Sequence, residues 1–108
     1  LRKETMKIQH ALMAMAVFAT AGLSQAQPVG SAQVRSWAAS CAACHGTNGQ
    51  AQPGMVALAG TPQEVIVQKL RDYKADRLPA ATVMHQLAKG YSDEQIVVIA
   101  AYFAAQKK

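Results

Sequence analysis

The sequence predicts an all-α domain of about four helices, on three observations. Apolar residues recur at three- and four-residue spacing in the segments that follow Ser31, Thr61 and Ser92. Two of those segments open on a Thr/Ser-x-x-Glu/Gln pattern, the signature of a helix start. No stretch shows a convincing alternation of apolar and polar residues, so no strand is expected. The 108 residues, 51% of them hydrophobic and 16% charged, suit one small folded domain and are too apolar for a disordered chain. Two cysteines are too few for a disulfide-stapled miniprotein.

Residues 1–26 read as a secretory signal peptide rather than as part of the fold. Met6 is the expected start. Lys7 supplies a short positive region, residues 11–23 an uncharged run, and Ser24-Gln25-Ala26 a small-x-small site for cleavage before Gln27. The run is shorter than the about 20 apolar residues of a membrane span, which leaves an uncleaved anchor as the lesser reading. The domain is then expected to be 27–108, with eight Lys and Arg against five Asp and Glu once Arg2, Lys3, Lys7 and Glu4 are set aside. Its basic residues are interspersed with Asp72, Asp76 and Asp93, which is not a nucleic-acid footprint. A core of this size supplies roughly 3 to 5 kcal/mol, so a metal or cofactor is expected as an added staple.

The first helix is expected to be capped by Ser31, to bury Val34, Trp37, Ala38 and Cys41, and to stop near Cys44. Residues 46–60, rich in Gly, Gln, Ala and Pro, read as a loop that wraps something. Thr61-Pro62-Gln63-Glu64 reads as a capping box with proline at the first helical position. Val65, Ile66, Leu70 and Tyr73 are the expected buried side of that helix, which ends before Asp76. A short third helix is expected around 82–88, closed by Gly90 in the left-handed conformation. Ser92-Asp93-Glu94-Gln95 repeats the capping pattern, and Ile96, Ile99, Ala100 and Phe103 form one face of the last helix. First and last helices are expected to pack together.

The chemistry sits at Cys41-Ala42-Ala43-Cys44-His45, a C-x-x-C-H. On a helical turn both thiols and the imidazole fall on one side. That arrangement suits covalent haem attachment, in which two thiols meet the two vinyl groups of one porphyrin edge and the histidine reaches the iron. Zinc would have to recruit His45 and His85 in a spacing that fits no common zinc pattern. A thioredoxin-type pair would want a βαβ context, and a structural disulfide leaves His45 unexplained.

A second axial ligand can come from Met55, Met84 or His85. Met84 lies 39 residues beyond His45, far enough for the chain to cross to the other face of the ring. Met55, only ten residues on, suits core packing. His85 stays open as the alternative, since imidazole is the commoner metal ligand.

An early Cys41-Cys44-His45, a Pro/Gly loop, a late Met84 and helices at both ends resemble a class I c-type cytochrome across 27–108. Closer still is the resemblance to the monohaem cytochrome subunits of flavocytochrome c sulfide dehydrogenases. It is carried by Trp37-Ala38-Ala39-Ser40-Cys41-Ala42-Ala43-Cys44-His45-Gly46-Thr47-Asn48-Gly49 and by Thr82-Val83-Met84-His85-Gln86-Leu87-Ala88-Lys89-Gly90-Tyr91. The resemblance implies one haem c joined through Cys41 and Cys44, with His45 as proximal and Met84 as distal iron ligand. It also implies that Pro53 is the loop proline whose neighbouring carbonyl holds the unligated His45 nitrogen. One departure stands out: relatives commonly have proline directly after the loop methionine, where this chain has Val56 after Met55.

A closed His/Met iron points to one-electron transfer rather than to catalysis. The resemblance implies a periplasmic chain paired as a heterodimer with an FAD-containing flavoprotein that oxidises sulfide, and a downstream acceptor protein. This chain has no G-x-G-x-x-G fingerprint, so the flavin would belong to the partner. A free periplasmic carrier and a haem enzyme or gas sensor with a displaceable Met84 are the competing classes. Lys69, Arg71, Lys74, Arg77 and Lys89 could dock an acidic partner, although an ordinary solvated helix face is the preferred reading.

Overall fold

A computed structural model describes residues 30–108. The signal-peptide reading of 1–26 lies outside the described residues. Four α-helices follow in order: α1 (Ser31–His45), α2 (Gln63–Lys74), α3 (Met84–Lys89) and α4 (Asp93–Ala104), with a 3₁₀ turn at Thr47–Gly49 directly after α1. No strand occurs among the described residues, as the periodicity predicts. No helix there is long and apolar enough to cross a membrane.

The last helix forms as the sequence predicts. Ser92 Oγ accepts from Gln95 N–H at 3.1 Å while the Gln95 side chain accepts from Ser92 N–H at 2.8 Å, satisfying two otherwise orphaned donors. Its apolar face, Ile96, Ile99, Ala100 and Phe103, is buried and forms the centre of the molecule. Ala38 of α1 and Ile66 of α2 close onto Ile99, Ala100 and Phe103, with Trp37, Cys41, Leu58, Leu70 and Tyr91 packed around them. Both α1 and α2 pack on α4, and α3 packs on α2.

Several local expectations are corrected. Ser31 is the first residue of α1, and Gly30 holds the cap position with no side-chain bond. Pro62, expected at the first helical position, is the N-cap of α2 instead. It can offer no side-chain acceptor, and the Thr61 hydroxyl turns back to the Ala57 carbonyl at 3.3 Å, so no capping box forms there. Val65 is exposed rather than buried, and Val67 takes its place against the core, because α2 is rotated to meet α4 through Ile66. Gly90 is right-handed, with φ −74°; α3 ends through Gly90 N–H to Leu87 O and Tyr91 N–H to Ala88 O, tight bonds that need no left-handed residue.

One glycine is required by close approach. At Gly49, with φ +75°, an added Cβ would come within 2.8 Å of both Leu58 Cβ and Phe103 Cδ1. The loop after α1 is thereby seated on the side of α4, and Gly49 O accepts from both Leu58 and Ala59 N–H. Tyr102 OH adds a 2.7 Å bond to Asn48 Oδ1. That seating returns residues 55–58 towards the motif.

Candidate haem site

Cys41, Cys44 and His45 lie on the last turns of α1, so the helix itself puts their side chains on neighbouring faces at positions i, i+3 and i+4. Neither thiol is in a disulfide; Cys41 is half-buried against the core and Cys44 is exposed. Burial pushes the Cys41 thiol above its ordinary pKa, an effect the nearby Ser40 hydroxyl partly opposes.

The His45 ring is oriented by a backbone bond. Its Nδ1 lies 2.7 Å from the carbonyl oxygen of Val56. A carbonyl can only accept, so Nδ1 carries the proton and Nε2 keeps its lone pair for a metal. This corrects the expectation for Pro53. Pro53 is exposed in a Pro-Gly turn closed by Met55 N–H to Gln52 O at 2.9 Å, with Gly54 at φ +81°. The chain reaches His45 only after that turn, three residues further on. The carbonyl therefore belongs to Val56. A main-chain oxygen carries no side-chain signature, so no local pattern in the sequence marks it.

Met84 is the first residue of α3 and is half-buried. His85 points elsewhere. It lines a small cavity with Asp76, Leu78, Pro79 and Ala81, and its buried Nδ1 has no hydrogen-bond partner among the described residues. None of the C-x-x-C-H side chains lines that cavity. Met55 is exposed, which removes the core-packing role expected for it.

The donor set fits a haem. One histidine nitrogen is held and the other available, the two thiols are unpaired, and a methionine thioether stands on a separate helix. Large apolar side chains next to these donors in the chain, Met55, Val56, Val83 and Leu87, are exposed to between 40% and 73%, apolar surface that a haem could cover. Zinc fits less well: among the described residues no three His, Cys, Asp or Glu side chains are grouped to hold a metal ion.

Three of the five basic residues considered for docking are engaged within the chain. Lys74 pairs with Asp93 at 3.1 Å, Arg77 with Asp72 at 2.8 Å and Lys89 with Asp76 at 2.8 Å. The hydrogen bond from Lys89 holds the Asp76 carboxyl below its usual range. The other two, Lys69 and Arg71, have no such pair among the described residues, in keeping with a solvated helix face.

Comparison with known proteins agrees with this geometry. Residues 31–103 match the family described as cytochrome c oxidase, cbb3-type, subunit III. The chain is 41% identical over 69 residues to the cytochrome subunit of sulfide dehydrogenase from Chlorobaculum tepidum, covering 64% of this chain and 62% of that one. It is 37% identical over 95 residues to the thiosulfate dehydrogenase electron acceptor of Thiomonas intermedia, covering 86% of this chain and 43% of that one. Cytochrome c-554(548) of Halomonas halodenitrificans is 38% identical over 71 residues, 62% of this chain and 84% of its own length. The chain thus spans only 43% and 62% of the length of the first two relatives. The helical architecture, the C-x-x-C-H at the end of α1 and the match over 31–103 place the chain in the cytochrome c family, an electron-transfer domain whose covalent haem c is served here by Cys41 and Cys44.

Proposed function

We propose that this domain is a one-electron relay with His45 and Met84 as axial iron ligands, working as the cytochrome subunit of a sulfide-oxidising flavoenzyme in the periplasm. The observation that carries the reading is the Val56 carbonyl on His45 Nδ1, which orients the ring and makes Nε2 a stronger donor. When bound, haem c supplies a metal that changes oxidation state by one electron; a His/Met pair raises its potential relative to two histidines. The chain's own part is to present Nε2 from α1 and a thioether from α3, while Met55, Val56, Val83 and Leu87 would supply apolar cover for the bound group. With His45 and Met84 both serving as ligands, no place on the metal would be left for substrate. FAD and sulfide chemistry then belong to a flavoprotein partner, and the electron leaves to a downstream acceptor protein.

The likeness to the Chlorobaculum tepidum sulfide dehydrogenase subunit supports the subunit role. The likeness to a thiosulfate dehydrogenase electron acceptor favours a second reading, a free carrier that meets its dehydrogenase only in passing. Native purification separates the two. Co-elution of the haem chain with a larger chain showing flavin fluorescence is the expected result; elution of the haem chain alone would establish the carrier.

A further inference from the structure

Tyr91 is held at both ends by different helices. Its main-chain carbonyl accepts from Lys74 Nζ of α2 at 2.8 Å, and the same ammonium pairs with Asp93 in the first turn of α4. Its phenol oxygen lies 2.5 Å from Ser40 Oγ on α1. The Ser40 hydroxyl gives its single proton to the Trp37 carbonyl at 2.8 Å, so the phenol is the donor in the pair. The chain of bonds runs Tyr91 OH to Ser40 Oγ to Trp37 O, and the half-buried ring packs on the core.

The two ends of that bond sit beside the two halves of the site. Ser40 immediately precedes Cys41, and Tyr91 follows the glycine that ends the helix begun by Met84. The packing partner of α3 is α2, so the spacing between the His45 helix and the Met84 helix is transmitted indirectly. A six-residue helix has little stability of its own and takes its position from what anchors its ends.

We propose that Tyr91, acting through Ser40, is a positioning residue that holds the attachment helix and the Met84 segment at the separation a closed axial pair requires. This rests on Met84 being the distal ligand. Without the bond, α3 departs from the ring more often, and the form lacking the sulfur–iron bond becomes more populated. An added ligand that binds only that form then binds more tightly, in proportion to its population.

The test is an imidazole titration of the holoprotein, followed by loss of the weak red absorption of the sulfur–iron bond. Tyr91→Phe is expected to bind imidazole about fivefold more tightly, the equivalent of one net hydrogen bond at 1.4 kcal/mol per tenfold. Ser40→Ala should match it, the double variant should add nothing further, and Ser40→Thr, which keeps the hydroxyl, should behave as the parent. Gln63→Met, which removes the 3.1 Å bond from Gln63 Nε2 to the Val97 carbonyl between α2 and α4, is the control: a lower thermal midpoint with imidazole affinity unchanged. Parent-like affinity in Tyr91→Phe, or an equal change in Gln63→Met, overturns the proposal. If Tyr91→Phe yields no folded holoprotein, the Ser40 variants decide alone. A parent holoprotein without the red absorption overturns the Met84 reading and this one with it.

Discussion

The Val56 carbonyl determines which nitrogen of His45 can meet a metal, and the identity of the Val56 side chain matters little to that bond. Among the described residues Val56 N–H donates to no backbone acceptor, and the side chain is 73% exposed, so proline, also apolar, could replace valine without losing a backbone bond or a contact buried in protein. Val56→Pro is expected to stabilise the holoprotein by about 0.4 to 1 kcal/mol through a less flexible unfolded chain, measured by chemical denaturation. A loss of stability instead would show that the backbone there departs from the φ that proline imposes. Met84 and His85 are neighbours with different surroundings, since His85 faces the cavity of residues 76–81. Met84→Ala should abolish the sulfur–iron absorption and lower the reduction potential with haem still attached, while His85→Ala should leave both in place. The reverse pattern in spectra and redox titration would make His85 the ligand.

Among elements, α4 organises the rest and is also the most legible in the sequence. Its capping box and its four buried residues follow from local pattern alone, because Ser92, Gln95 and the 3.6-residue period need no distant partner. The entry to α2 shows the limit of such reading. Thr61 and Glu64 match a capping pattern, yet Pro62 occupies the cap and the Thr61 hydroxyl finds the Ala57 carbonyl, a partner supplied by the loop's return path. Val65 fits the period of α2 as well as Val67 does, and only the packing of α2 on α4 chooses between them. The loop itself depends on a glycine for contact as well as for conformation. Gly49→Ala would press a methyl group against Leu58 and the buried Phe103 at a φ of +75°. It is expected to cost about 1 to 3 kcal/mol and to loosen the Val56 bond to His45, read as a lower unfolding midpoint and altered imidazole resonances of the holoprotein.

For the whole molecule the core is small. Its centre is Ala38, Ile66, Ile99, Ala100 and Phe103, two of them alanines, while Met55, Val56, Val83 and Leu87 remain uncovered by protein. A group that binds only the folded chain adds its binding energy to stability. A Cys41→Ala/Cys44→Ala variant, which cannot hold haem covalently, is therefore expected to lose cooperative thermal unfolding, followed by far-ultraviolet circular dichroism. A cooperative transition in that variant would show that the protein core suffices alone. Local pattern was enough for the helical class, the last helix with its cap and buried face, and the Cys41-Cys44-His45 chemistry, all of which depend on neighbours within four or five positions. Helix packing set the carbonyl on His45, the separate surroundings of Met84 and His85, and the bond between Tyr91 and Ser40. Those pairs are 11 to 51 residues apart where they bond, and spacing that long reflects how helices pack, which no local period records.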